Sequence, residues 1–501
     1  MDKKLKIKAL KQSKKIKLGK ILTKKIENKH LDKIFTSKFM VASFVITAMF
    51  LVTFGIFQWL SSHRQVLGES DIDDSALASQ PANLVIDTGS VVGPLQRPWQ
   101  DLSQGGEDKE WRLQPILSQV KTLKPKYIRI DHIYDFYEIV KGEPGNLEFD
   151  WTKFDLILDD ILASGAKPYI SLGYMPPVIA DGDVVNKPKR WEDWQYTVQR
   201  SIEHISGTKK IKDVYYEVWN EPDHFGDWDY QGDKNYLELY THAAKGAANA
   251  KGVEDFKFGG PATTGLYKSW FDALVKHARA NNLRLDFFSW HRYSHSLEDF
   301  EEDMKKAQSW SKEYPDLQSS LELHITEWGH DSENHPGYDS YYGAAHTVAT
   351  SIVMVNNIRE ALIFEIQDGE NPDGQTKWGR WGIIDSENQA KPRFYALRML
   401  NSLGDEELKL SGQNQYIKAI AAKDKGGKIV LIVVNFDPAV THKEIVPITF
   451  INLDMGTYNL KYKFLNGKEI RQQILSANGR IGTQVDMRVN DVLLLELEKV
   501  N

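Results

Sequence analysis

The chain has no cysteine. That absence excludes disulfides and thiolate metal sites, and it suits a surface protein that never needs oxidative folding. There is also no His-Glu-x-x-His pair. The loop at 368–374 (DGENPDG) carries oxygen ligands but not the spacing of a calcium loop. Neither a metal nor another cofactor is therefore expected. A third absence is charge between Phe39 and Leu60. This mostly apolar run is long enough to cross a bilayer as a helix.

Charge is distributed very unevenly around that run. Residues 1–38 hold 14 lysines against 3 acids, a balance of +11. The whole chain is −6 and residues 39–60 are neutral, so residues 61–501 carry −17. The positive-inside rule then predicts a single-pass membrane protein with a cytoplasmic N-terminus and everything after Leu60 outside. The basic stretch and the apolar run are both too long for an ordinary cleaved signal peptide. An acidic outer portion argues against nucleic acid as a partner. The membrane is an expected partner, through the 39–60 helix.

Composition offers a first indication of a second partner. The chain has 14 tryptophans, whose flat faces stack on sugar C–H groups, although most are expected in the core. From about residue 98 short β-rich runs alternate with amphipathic helical stretches, at 99–105, 127–131, 168–172, 214–219, 256–260, 285–291, 322–326 and 361–366. Eight such repeats predict a (β/α)8 TIM barrel, whose chemistry sits at the C-terminal strand ends. From about residue 407 short strands with turn signals predict a β-sandwich. The expected organisation is a basic segment (1–38), a transmembrane helix (39–60), a linker (61–82), a strand segment before the barrel (83–97), the barrel (98–406) and the sandwich (407–501).

Two stretches carry the chemistry, Trp219-Asn220-Glu221-Pro222 and His324-Ile325-Thr326-Glu327-Trp328. Each reads as an apolar strand ending in a glutamate, at strand four and strand seven, and 106 positions separate the two glutamates. Two carboxylates facing each other across a pocket are the equipment for breaking a glycosidic bond.

Several motifs in order then resemble glycoside hydrolase family 39, which includes β-xylosidases and α-L-iduronidases. They are Gly93–Trp99 at the entry to strand one, Ser171–Pro176 after strand three, Glu217–Pro222 at strand four, Gly259–Thr263 at strand five, His324–Trp328 at strand seven and Lys391–Leu397 in the last helix. The resemblance implies that the strand segment at 83–97 joins the β-sandwich. It also implies a retaining mechanism with Glu327 as nucleophile and Glu221 as acid and base. It implies that Glu327 is ionised, with Arg129 and Tyr293 as donors, and that the pKa of Glu221 is raised in the free protein. Asn220 would bond the sugar 2-hydroxyl, and His291 resembles a substrate contact. Trp328 and Tyr174 are read as pocket walls. Plain packing remains the alternative for Trp328, Tyr174 and His291, and a barrel-interior ion pair the alternative for Arg129.

The chain departs from the family pattern in three places. Where Arg-x-His is usual, Arg129-Ile130 is followed by Asp131 and then His132. Strand alternation puts Asp131 on the Arg129 face unless a bulge intervenes. Ser171 stands where many relatives carry glutamate. Arg292, between His291 and Tyr293, has the charge to hold a uronate, but alternation turns it away, which favours a neutral sugar. Three functions fit this reading: an anchored extracytoplasmic retaining glycosidase, a transglycosylase using the same intermediate, or a non-catalytic carbohydrate-binding protein on the same scaffold.

Overall fold

The computed structural model describes residues 80–500, apart from 107, 110, 318, 319 and 372. The predicted transmembrane run at 39–60 and the basic segment before it lie outside the described residues. Among the described residues, no helix is long and apolar enough to cross a membrane.

The described chain starts in β1 (Leu84–Pro94) and passes to β2 (Asp101–Gln104) and β3 (Tyr127–Ile130). A small hairpin follows, β4 (Val140–Glu143) and β5 (Asn146–Phe149). Next come β6 (Lys167–Leu172), β7 (Val214–Val218), β8 (Phe256–Thr263), β9 (Phe287–Tyr293), β10 (Glu322–Gly329) and β11 (Glu360–Phe364). Apart from the hairpin and β1, these strands are parallel and close in the order β10-β11-β2-β3-β6-β7-β8-β9, the expected eight-stranded barrel. Helices cover its outside: α1 (Leu117–Lys121), α2 (Thr152–Ser164), α3 (Trp191–Ile202), α4 (Tyr236–Asn249), α5 (Lys268–Ala280), α6 (Leu297–Ser311), α7 (Tyr341–Met354) and α8 (Pro392–Leu400). Their sequences set their faces and ends. Helix α5 buries Trp270, Phe271, Leu274, Val275 and Ala278 as one apolar stripe. Asn235 caps α4 by accepting the Leu237 amide at 2.9 Å, and α8 opens on a proline, which suits a first turn.

Inside the barrel, alternate residues of neighbouring strands meet in layers. The lower layer is Tyr127, Tyr169, Tyr215, Phe287 and Leu362, all buried. Tyr169 and Tyr215 stack at 5.1 Å, and Phe287 stacks on His324 at 4.6 Å. This aromatic plug fills the barrel floor.

The remaining strands form a separate nine-stranded sheet. They are β12 (Glu406–Ser411), β13 (Ile417–Lys423), β14 (Ile429–Asn435), β15 (Glu444–Ile451), β16 (Gly456–Phe464), β17 (Glu469–Ser476), β18 (Ile481–Met487) and β19 (Val492–Lys499). Together with β1 the order is β17-β16-β19-β14-β13-β12-β1-β15-β18. The sheet folds over itself, bringing the Tyr462 hydroxyl on β16 against Thr483 Oγ1 on β18. The unbroken apolar run of β14 has a physical reason. Val430, Ile432 and Val434 join the barrel's core, while Ile429, Leu431 and Val433 join the sandwich's own core. Each such buried side chain contributes roughly 1.5–3 kcal/mol, so one strand stabilises two cores.

Candidate active site

At the C-terminal ends of the barrel strands lies a cavity of about 560 Å³. Its lining includes Asp131, His132, Tyr174, Asn220, Glu221, Tyr293 and Glu327. Simple alternation does not bring these residues together. Three local departures from regular strand do.

The first is at the end of β7. Val218 is its last residue, and Trp219 (φ 74°) and Glu221 (φ 44°) then adopt left-handed backbone on either side of Asn220. That conformation is costly for residues with a Cβ, and the neighbours hold it in place. Ser171 Oγ donates to the Trp219 carbonyl at 2.9 Å, and the Glu221 amide donates to the Ala262 carbonyl at 2.9 Å. As a result the consecutive side chains of Asn220 and Glu221 both line the cavity.

The second is a bulge in β10. Ile325 pairs with Trp290 of β9, yet it is Glu327 that pairs with His291, so Thr326 is an extra residue. Without the bulge, the alternation that turns His324 inward would have turned Glu327 outward. With it, Glu327 joins the cavity and Trp328 turns away. Trp328 is fully buried against Phe300 and His346 on the outer side. It packs there and does not line the cavity, contrary to its reading as a pocket wall.

The third is at β3, which stops at Ile130. His132 takes a left-handed conformation (φ 51°), and both Asp131 and His132 line the cavity. The choice between them therefore does not arise, because alternation ends with the strand. Gly105, just after β2, lies so close that a Cβ there would sit 2.1 Å from Asp131 Oδ1 and force that carboxylate to move.

Below the cavity floor Arg129 organises the polar layer. Its Nε donates to Glu217 Oε2 at 2.7 Å, Nη1 to Glu327 Oε1 at 2.9 Å and Nη2 to Asn220 Oδ1 at 2.7 Å. Arg129 and Glu217 are completely buried. The expected donor to Glu327 and the alternative of an interior ion pair are thus both realised by one guanidinium. Tyr293 donates its hydroxyl to Glu327 Oε2 at 3.0 Å. Asn220 Nδ2 donates to the Tyr174 hydroxyl at 3.2 Å. The Arg129 contact fixes which end of that amide is oxygen and leaves its second N–H for a ligand. Tyr174 is both wall and packing, edge-on to Trp219 and Phe225.

His291 is fully buried between the two glutamates. Its Nδ1 lies 2.8 Å from Glu221 Oε1 and 3.5 Å from Glu327 Oε2. One ligand-type atom from each of Glu221, His291 and Glu327 falls within 4.8 Å of the others. Burial opposes charging of the imidazole, but the Glu327 and Glu221 carboxylates outweigh it and raise the pKa of His291. For Glu221 burial also favours the neutral form, yet the hydrogen bond and charge of His291 win and hold its pKa below the usual value. Glu327 goes the other way. Burial, with the Glu221 and Asp131 carboxylates, pushes it up against the pull of His291 and Arg129. The expected ordering, with Glu221 raised and Glu327 readily ionised, is reversed in the ligand-free protein. The reason is that the imidazole hydrogen-bonds Glu221 rather than Glu327.

The sequence reading missed Glu217, although a glutamate inside an otherwise apolar strand was a visible signal. It also missed His224 and Phe225, which line the cavity beside Glu221. The loop after β11 brings Arg380 and Trp381 to the rim, the Arg380 guanidinium 3.6 Å from the Trp381 ring centre. Lys391 pins that loop through Asp368 at 2.5 Å and Asp339 at 2.7 Å. Arg292 is clamped by both oxygens of Asp303 at 2.6 Å. A second cluster, His295, Asp331 and His335, also brings three possible metal-ligating atoms within 4.8 Å. There His335 Nδ1 already accepts the Gly337 amide at 3.0 Å.

The profile of glycosyl hydrolases family 39 matches residues 85–461. A beta-xylosidase of Caldicellulosiruptor saccharolyticus is 27% identical over 329 residues, 59% of this chain and 65% of its own length. One from Geobacillus stearothermophilus is 25% identical over 321 residues, 57% of this chain and 62% of its own. The matched region thus spans less than two-thirds of these relatives. Among solved structures, a monomeric beta-xylosidase of Caulobacter crescentus superposes with a TM-score of 0.70 at 22% identity, covering 84% of this chain and all of that one. A family 39 enzyme from Xanthomonas axonopodis pv. citri gives 0.70 at 20% identity, covering 86% and 100%. At these identities the likeness is one of fold.

Proposed function

Because the chain belongs to glycosyl hydrolases family 39, we propose that it is a retaining glycosidase cleaving O-glycosidic bonds through a covalent glycosyl-enzyme. The observation that carries the reading is the spacing of the carboxylates. Oxygens of Glu221 and Glu327 lie within 4.8 Å of each other. Retaining enzymes hold their carboxyl groups about 5–5.5 Å apart, whereas inverting enzymes leave about 6.5–9.5 Å for a water.

In this reading Glu327 attacks the anomeric carbon and Glu221 protonates the departing oxygen. The acid proton begins in the hydrogen bond between His291 Nδ1 and Glu221 Oε1. Sugar binding displaces water, and a drier site disfavours the imidazolium–carboxylate pair relative to the neutral one. The proton then moves onto Glu221, ready for the leaving group. Once Glu327 is esterified its charge is gone, and Glu221, now a carboxylate, takes a proton from the attacking water. Arg129 and Tyr293 hold Glu327 in line, and the free Asn220 N–H faces the 2-hydroxyl, a contact that strengthens in the transition state.

Arg292 lines the cavity, where alternation would have turned it away, but two of its guanidinium nitrogens are taken by Asp303, and this favours a neutral sugar at the cleavage point. The β-xylosidase relatives support a β-xyloside-like glycone. The apolar run at 39–60 and the lysines before it support an anchored enzyme with an extracytoplasmic catalytic domain. The test is a panel of aryl β-xyloside, β-glucoside, β-galactoside, α-arabinoside and α-iduronide, with the anomer of the first product read by NMR. Release of a neutral sugar with retained configuration is expected. Inversion, or α-iduronide as the sole substrate, would overturn the reading.

A further inference from the structure

A second cavity, of about 610 Å³, runs between the barrel and the sandwich. Its lining is unlike that of the active site. Two tyrosines of the barrel, Tyr341 at the start of α7 and Tyr395 on α8, face it while 49% and 47% exposed. Four cations line it, Lys377, Arg398, Lys461 and Lys463, against one acid, Glu496. Glu496 is engaged by Lys461 at 3.6 Å. Among the described residues no carboxylate forms a close ion pair with Lys377, Arg398 or Lys463, although Lys463 stands opposite Glu469 on β17 and acts on it through its charge. This positive groove sits on a portion of the chain that is otherwise strongly acidic.

Position connects the groove to the catalytic cavity. Lys377 belongs to the same loop as Trp381, which lines the active site. Four residues of chain span at most about 14 Å. A polysaccharide lying across this loop therefore reaches both places within a few sugar units. Exposed tyrosine faces offer stacking for sugar rings, and unpaired ammonium and guanidinium groups offer partners for carboxylates.

We propose that the groove between the barrel and the sandwich is a non-catalytic binding site for the uronate-bearing stretches of a polysaccharide whose neutral residues are cleaved at Glu221 and Glu327. The assignment of the anion to a sugar rests on the glycosidase reading, whereas its binding does not depend on turnover.

The test measures affinity of the full-length protein for polygalacturonate, for neutral arabinoxylan and for phosphatidylglycerol vesicles. Each is measured with the unmutated chain, with Tyr395→Ala/Lys463→Glu and with Tyr341→Ala. Polygalacturonate is expected to bind and to weaken as salt is raised. The double variant is expected to lose about tenfold in affinity, the scale of one stacking and one charge contact removed. Its thermal midpoint and aryl-glycoside hydrolysis should be unchanged. Tyr341→Ala serves as the second variant if the double variant does not fold, and is expected to lose about threefold, one stacking contact. Equal polygalacturonate affinity in the variants, no affinity in the unmutated chain, or a loss in the double variant of vesicle binding but not of polygalacturonate binding overturns the proposal. Groove-dependent binding in a protein that cleaves no glycoside would leave the groove standing and remove the glycosidase reading.

Discussion

The barrel interior contains two layers built by the same strands, two residues apart, with opposite chemistry. Tyr127, Tyr169, Tyr215 and Phe287 form the floor. One step up the same strands come Arg129, Ser171, Glu217 and Ser289, and above Ser289 stands His291. The backbone treats both layers alike, since alternation turns every second residue inward in each. What differs is what each layer asks of its neighbours. The floor gains mainly from burial, with each tyrosine hydroxyl meeting one neutral or rim partner, at Asp213 O, His324 Nδ1 and Glu322 Oε2. The upper layer holds a guanidinium, two carboxylates and an imidazole out of water, and each is tolerable only because another pairs with it. Stability is concentrated below and the proposed chemistry above, and substitutions in the two layers should separate accordingly.

The largest separation is expected from Glu327→Gln. Aryl-glycoside turnover should fall by at least about 10⁴-fold, the scale of losing a nucleophile. The thermal midpoint should not fall, because the change removes a buried carboxylate whose charged form burial disfavours. A lowered midpoint would break the division between the layers. Arg129→Met comes next. It leaves Glu217, Glu327 and Asn220 without their donor, at a cost of about 3–5 kcal/mol by denaturant unfolding. The sign with pH is set by the orphaned carboxylates. Without the guanidinium Glu327, already raised by burial, is raised further, so the penalty is smallest below about pH 4 and grows as pH increases. A pH-independent penalty would mean that the pairs contribute nothing specific.

His291→Gln addresses the proton. Loss in kcat/KM of roughly 10²-fold is expected. More diagnostic is the basic limb of the pH profile. In the unmutated protein it should lie above the ordinary histidine value, because His291 is raised. In the variant it should drop towards the carboxylate range, with Glu221 alone left to titrate. An unmoved limb would remove His291 from proton storage. The acid limb, set by Glu327, should lie above the ordinary glutamate value in the unmutated protein and higher still in the variant, which loses the imidazole charge that pulls Glu327 down. The smallest effect belongs to the floor. Phe287→Leu should cost about 1 kcal/mol and leave the pH profile where it was, which completes the comparison from below.

The sequence made the floor and the barrel legible because both depend on periodicity, and the apolar runs at 127–131, 168–172 and 214–219 show it directly. The glutamates were legible as motifs. The rest of the site was not, because it depends on exceptions to periodicity. The extra Thr326 reverses the phase of β10, and this is why Trp328 packs outward rather than on a sugar. The left-handed residues around Asn220 let neighbours share a face, and the early end of β3 admits Asp131 and His132 together. The pKa order escaped for another reason. It is decided by which glutamate the imidazole touches, and that distance exists only in three dimensions.

The placement of β1 reaches beyond catalysis. Residues 84–94 occupy the sheet between β12 and β15, so Val85 sits opposite Ser411 and Leu84 opposite Ile448. On a ribosome, or emerging from a translocation pore, this strand arrives first and waits for partners more than three hundred residues behind it. Such distant pairing is slow to form and leaves an open edge meanwhile. The barrel can close during that wait; the sandwich cannot. Molecules released early from synthesis would carry a finished barrel behind a bare strand, a form suited to chaperone capture or to sticking to their own kind. In the completed protein β1 is a clasp, fastened only when β12 and β15 have been delivered.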